Sequence, residues 1–97
     1  MLFVSAGDIM ADENEVEETI SQITAKMDML INDTTVPKNV RSAVSTAKAQ
    51  LNVSGDRTVR VSNAIYNIDG VSNDINLPPQ ARTALWSILS MLEAIKD

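Results

Sequence analysis

The sequence predicts an all-α protein, a four-helix up-and-down bundle built from two repeated helical hairpins, and three observations carry that expectation. First, the second half of the 97-residue chain repeats the first at an offset of 41 residues. Asn32-Asp33-Thr34-Thr35-Val36-Pro37 with Val40-Arg41-Ser42-Ala43 returns as Asn73-Asp74-Ile75-Asn76-Leu77-Pro78 with Ala81-Arg82-Thr83-Ala84. Second, apolar residues recur three and four apart in four stretches, which is the helical period and not strand alternation. Third, 44% of the residues are hydrophobic but only three are aromatic, so Val, Ile, Leu, Met and Ala must fill the core. That bias disfavours a sheet.

The repeat needs no gap. Ser21, Asp28, Asn32, Asp33, Pro37, Arg41, Ala43 and Leu51 land on Ser62, Asp69, Asn73, Asp74, Pro78, Arg82, Ala84 and Leu92. Chance identity is roughly one position in fifteen, and five of these matches fall between positions 32 and 43.

The first helix opens at Asp12, with Glu15 as a capping-box partner. Glu13, Glu15, Glu17 and Glu18 crowd its first turns, where the helix dipole favours negative charge. Val16, Ile20, Ile23, Met27, Leu30 and Ile31 form its apolar stripe, and Asn32, which tolerates the left-handed conformation, should end it. Pro37 suits a first turn, so the second helix begins near Val36 and buries Val40, Ala43, Val44, Ala47 and Leu51. Ser54-Gly55-Asp56 breaks it, and Asp56 is a good N-cap for the third. The third stripe is Val61, Ala64, Ile65, Ile68 and Val71, closed by Asn73-Asp74 as Asn32-Asp33 closes the first. Pro78-Pro79 opens the fourth, with Ala81, Ala84, Leu85, Ile88, Leu89, Leu92 and Ile95 inward. Helices of about 16–20 residues span roughly 24–30 Å, so the four are expected to match in length.

Neither hairpin can bury its apolar face alone. A solenoid needs three or more units, so two units close on each other as a bundle. Residues 1–11 are expected to form a poorly ordered extension, with Met10 a more natural start, ahead of a single domain over 12–97. The four apolar residues Met1 to Val4 are too few for a signal peptide or a membrane span. Absence of cysteine suits a reducing compartment, here expected to be the cytoplasm.

Histidine is also absent, which removes the usual general base and the commonest zinc ligand. The three glycines are scattered, so no phosphate-binding loop exists. We therefore expect no catalytic residue, no cofactor and no metal. The net charge of −5 opposes broad binding to a phosphate backbone.

Two groups of residues remain as candidates. Asp33 with Arg41, and Asp74 with Arg82, fall at one end of an up-and-down bundle as two acids and two guanidiniums. They could grip a carboxylate or phosphate bidentately, or each Asp could cap a loop N–H or pair with its Arg to fix the turn. Val59, Tyr66 and Trp86 fall outside the apolar stripes of the third and fourth helices. The two rings should lie near the same height. Their first-repeat counterparts are Ala25 and Ser45, so one side is aromatic where its equivalent is small. The rings either fold over core or anchor a homodimer.

The chain also resembles a known family. Ile31 to Pro37 with Arg41, Val59-Arg60-Val61-Ser62-Asn63-Ala64-Ile65-Tyr66, Ser72-Asn73-Asp74, and Ala81-Arg82-Thr83 through Trp86 look like the archaeal uncharacterised protein family 0147. The likeness covers residues 12–95 and implies a small cytosolic archaeal helical bundle. It implies no activity, cofactor or catalytic residue. The function expected is a non-enzymatic interaction module that binds itself or another protein, with no membrane. The alternative is a nucleic-acid or ribonucleoprotein accessory. Its support is Lys38, Arg41 and Lys48, which make the second helix basic, with Arg57 and Arg60 close behind.

Overall fold

The computed structural model describes residues 13–96. Four helices follow one another: α1 Glu13–Ile31, α2 Lys38–Leu51, α3 Arg57–Asp69 and α4 Pro79–Ile95. No strand occurs among the described residues, so the chain is all-α. Asp12 and the extension 1–11 lie outside the described residues.

Each helix end has a local cause. The amide N–H and the side-chain Nδ2 of Asn32 both donate to the Asp28 carbonyl, at 3.0 and 2.9 Å, and close α1. Asn32 does so without a left-handed backbone, because Gly55 (φ 130°) alone has positive φ among the described residues. α2 starts at Lys38, two residues later than expected, since Pro37 is still extended at φ −55° and ψ 147°. Asp56 caps α3 by accepting from the Thr58 amide at 3.3 Å.

α3 ends four residues short of Asn73, at Asp69. Beyond it the chain tightens into successive turns, with Val71 N–H donating to Ile68 O and Ser72 N–H to Asp69 O. The buried Ser72 is satisfied, its Oγ donating to Asp69 O at 3.1 Å. α2 and α3 therefore have 14 and 13 residues against 19 and 17 in α1 and α4, and the four are not matched in length.

α1 packs against α2 and α4, and α3 packs against α2 and α4, while the diagonal pairs do not meet. Thr58 Oγ1, at the start of α3, donates to the carbonyl of Lys96 just beyond α4, so these two helices run antiparallel. The buried set is aliphatic and holds no aromatic ring. Five stripe residues of α1, from Val16 to Leu30, are buried, while Ile31, Ala43, Ile65, Val71, Ala84 and Leu89 are partly so. Val36 and Leu77, just before the prolines, are buried as well, at 1% and 6% exposure. Burial then recurs at an offset of 41 residues. Val36, Val40, Val44, Ala47 and Leu51 correspond to Leu77, Ala81, Leu85, Ile88 and Leu92, and all ten are buried.

Candidate functional site

The two corners share a set of backbone hydrogen bonds at the same spacing. Asp33 N–H donates to Leu30 O and Asp74 N–H to Val71 O, each at 3.2 Å. Val36 N–H reaches Asp33 O at 3.1 Å, and Leu77 N–H reaches Asp74 O at 3.2 Å. Arg41 and Arg82 N–H both close onto a proline carbonyl, Pro37 and Pro78, at 3.0 Å. The carboxylates match too, with Asp33 Oδ1 accepting from Thr35 N–H at 2.9 Å and Asp74 Oδ1 from Asn76 N–H at 2.8 Å. Short polar side chains that bond two residues on are the usual means of holding such turns.

These bonds hold both carboxyls below the usual carboxylate range. For Asp33 the Thr35 hydroxyl is the main cause, followed by the Thr35 amide and, more weakly, the Arg41 charge. For Asp74 it is the Asn39 side chain, then the Asn76 amide and the Arg82 charge. Asn39 Nδ2 donates to Asp74 Oδ2 at 3.0 Å and so ties the start of α2 to the α3–α4 corner. Both corners therefore share one end of the molecule.

The expected cluster of two acids and two guanidiniums does not form as ion pairs. Arg41 Nε donates to Val36 O at 3.1 Å and Arg82 Nη2 to Asp74 O at 3.1 Å, so each guanidinium is turned to its own loop backbone. Arg60 acts likewise at the other end, donating from Nη1 to Leu51 O and Val53 O. The cause is common to all three. Helix ends and turns leave carbonyls without partners, and an arginine is long enough to reach them. Lys48 is paired with Asp28.

A notch of about 220 Å³ opens between the end of α1 and the start of α4. Lys26, Met29, Leu30 and Asp33 line one wall, and Gln80, Ala81 and Ala84 the other. Nothing in the sequence pattern singled it out, because it depends on how α1 meets α4. Its counterpart between α2 and α3 is bridged by Asn39 and Asp74, whereas no bond joins Gln80 to Asp33. Ala81 is also smaller than its counterpart Val40.

Val59, Tyr66 and Trp86 are exposed by 55%, 78% and 54%. Counting eight residues inward from the Thr58–Lys96 bond sets Tyr66 level with Ile88, and Trp86 about 3 Å further along the axis. Between Arg60 and Asp69 on α3, and between Arg82 and Glu93 on α4, no residue is charged. Among the described residues no helix is long and apolar enough to cross a membrane.

These features define a class: a small all-α protein with two like corners and exposed rings on α3 and α4. The chain belongs to the Uncharacterised protein family (UPF0147), whose model matches residues 7–95. The match begins five residues ahead of the likeness read from the motifs. A UPF0147 protein of Methanocaldococcus jannaschii is 42% identical over 97 residues, covering 99% of this chain and all of that one. One from Sulfurisphaera tokodaii is 37% identical, covering 91% of this chain and all of that one. A crystal structure of an unknown-function protein, MMP1188, superposes with a TM-score of 0.78 at 36% identity, over 89% of this chain and 96% of that one. A second crystal structure, of a UPF0147 protein from Thermoplasma acidophilum, gives 0.77 at 34% identity, over 81% and 94%.

Proposed function

We propose that the protein is a non-enzymatic interaction module, an up-and-down four-helix bundle of two repeated hairpins that pairs with a second copy through the outer face of α3 and α4. The observation that carries this reading is the pair of exposed rings, Tyr66 and Trp86, nearly level in a stretch without charge. Interface centres are depleted of charge and enriched in Tyr and Trp, and those residues dominate binding energy. The bundle part rests on the closed cycle of packed neighbours and the antiparallel α3/α4 pair. The repeat part rests on corner bonds that recur at one offset.

The non-enzymatic part rests on composition, since a chain without His or Cys lacks the usual bases and nucleophiles. A cysteine-free chain suits the cytoplasm. A nucleic-acid role has less support, because Arg41, Arg60 and Arg82 donate to backbone carbonyls and Lys48 is paired. Light scattering on the wild type and Trp86→Ala at tens of micromolar tests the proposal. A dimer that the substitution dissociates is the expected result. A monomeric wild type rejects self-association, and a Trp86→Ala protein that stays dimeric moves the interface elsewhere.

A further inference from the structure

The exposed apolar residues share one property: each departs from its partner in the repeat. Tyr66, Trp86 and Val59 stand where the first half has Ala25, Ser45 and Glu18. At the corner end the departures are of two kinds. Ile75, 90% exposed, replaces Thr34 and makes an apolar knob. On the α1/α4 side, Ala81 stands for Val40, and Gln80 and Asp33 leave open what Asn39 and Asp74 bridge, which makes a hole. Its outer wall is Met29, itself 74% exposed, where the counterpart is Gly70. At about 220 Å³ the hole is smaller than the roughly 300–1,000 Å³ of small-molecule sites. It suits one apolar side chain. A knob and a hole at the same end of one chain are what a two-fold exchange between identical copies requires.

We infer that two copies pair in parallel about an axis along α4, with Ile75 of each seated in the α1/α4 notch of the other. This rests on the self-association proposed above and adds the α1 side of each copy to the surface that pairs. The sides of α4 decide the orientation. Residues 80, 81 and 84 of α4 face α1 across the notch. Arg82 bonds the loop arriving from α3, and Trp86, one turn further on the same strip, lies on that side with Ile75 close to the helix start. An axis along the helices brings the α3 side of one copy against the α1 side of the other at equal height, so knob meets hole twice. An axis across the helices sets α3 side on α3 side and carries Ile75 to the far end, away from any notch. Lys26 and Asp33 both line the hole, so its charges balance and shape sets what it takes.

The chain has no cysteine, so cross-linking is free of background. Ile75→Cys and Gln80→Cys are made separately, both at exposed positions, mixed at tens of micromolar and oxidised, with Tyr66→Cys alone as a third sample. Disulfides form only when Cα atoms approach within about 7 Å. The parallel pair gives a covalent dimer in the mixture at least about fivefold above either variant alone, and little from Tyr66→Cys. A light-scattering dimer that cross-links through Tyr66→Cys, or not between positions 75 and 80, overturns the arrangement and leaves self-association standing. A monomer in solution overturns both.

Discussion

Ile68→Ala and Tyr66→Ala, two residues apart on α3, should have opposite consequences, because a helix sets positions two apart on nearly opposite faces while a strand would put them on one. Ile68 is fully buried at 0% exposure, so truncation removes its transfer free energy and leaves a cavity, costing about 2–5 kcal/mol. Tyr66 is 78% exposed, so about a fifth of its surface touches the protein. Losing roughly 50 Å² of contact at about 25 cal/mol per Å² amounts to about 1 kcal/mol. Against a total stability of order 5–15 kcal/mol, the Ile68 variant loses a large share and the Tyr66 variant little. Urea denaturation followed by circular dichroism at low micromolar concentration separates the two. Repeating it at high concentration adds the association term, which only the Tyr66 variant should lack. Equal losses at both positions under dilute conditions would refute the assignment of faces on α3.

Gly70 caps α3 at φ −63° and ψ −22°, and an added Cβ would meet nothing nearer than 3.5 Å. Gly70→Ala should therefore stabilise by about 0.4–1 kcal/mol in thermal melts, chiefly by restricting the unfolded chain. Asp33 and Asp74 have folded pKa values below the unfolded value of about 3.9, so their contribution is complete above that pH and is lost as pH falls through the lower folded values. The double variant Asp33→Asn, Asp74→Asn should flatten the acid limb of the stability curve below about pH 4 and leave its slope near neutrality unchanged.

Much of the fold was legible because apolar periodicity reports burial directly. Val61, Ala64 and Ile68 lie inward, as do Ala81, Leu85, Ile88, Leu92 and Ile95, since spacing alone sets which face a helix presents. The end of α3 was not legible, because Val71 continues the stripe in spacing while the chain beyond Asp69 has already left the helix for tighter turns. Val36 and Leu77 precede the prolines and so lie outside α2 and α4, yet each stands four residues before the next buried position, Val40 and Ala81, so the stripe spacing already marked them. The corners were half legible. The Asn-Asp pairs mark the turns, but where an arginine sends its guanidinium depends on which carbonyls the fold leaves open, and Arg41 and Arg82 take loop carbonyls. The notch needed the meeting of α1 and α4, a contact between the two ends of the sequence that no local pattern encodes.

Trp86 is the chain's single tryptophan and half of its surface is open, so its emission reports directly on whether that face is covered in solution. A dilution series from tens of micromolar to tens of nanomolar, read as the emission maximum alongside molar mass, tests self-association at the residue held responsible. The expected result is a blue-shifted maximum and dimer mass at the concentrated end, moving together to a red-shifted maximum and monomer mass on dilution. A monomer mass with a solvent-exposed emission maximum at every concentration would contradict it.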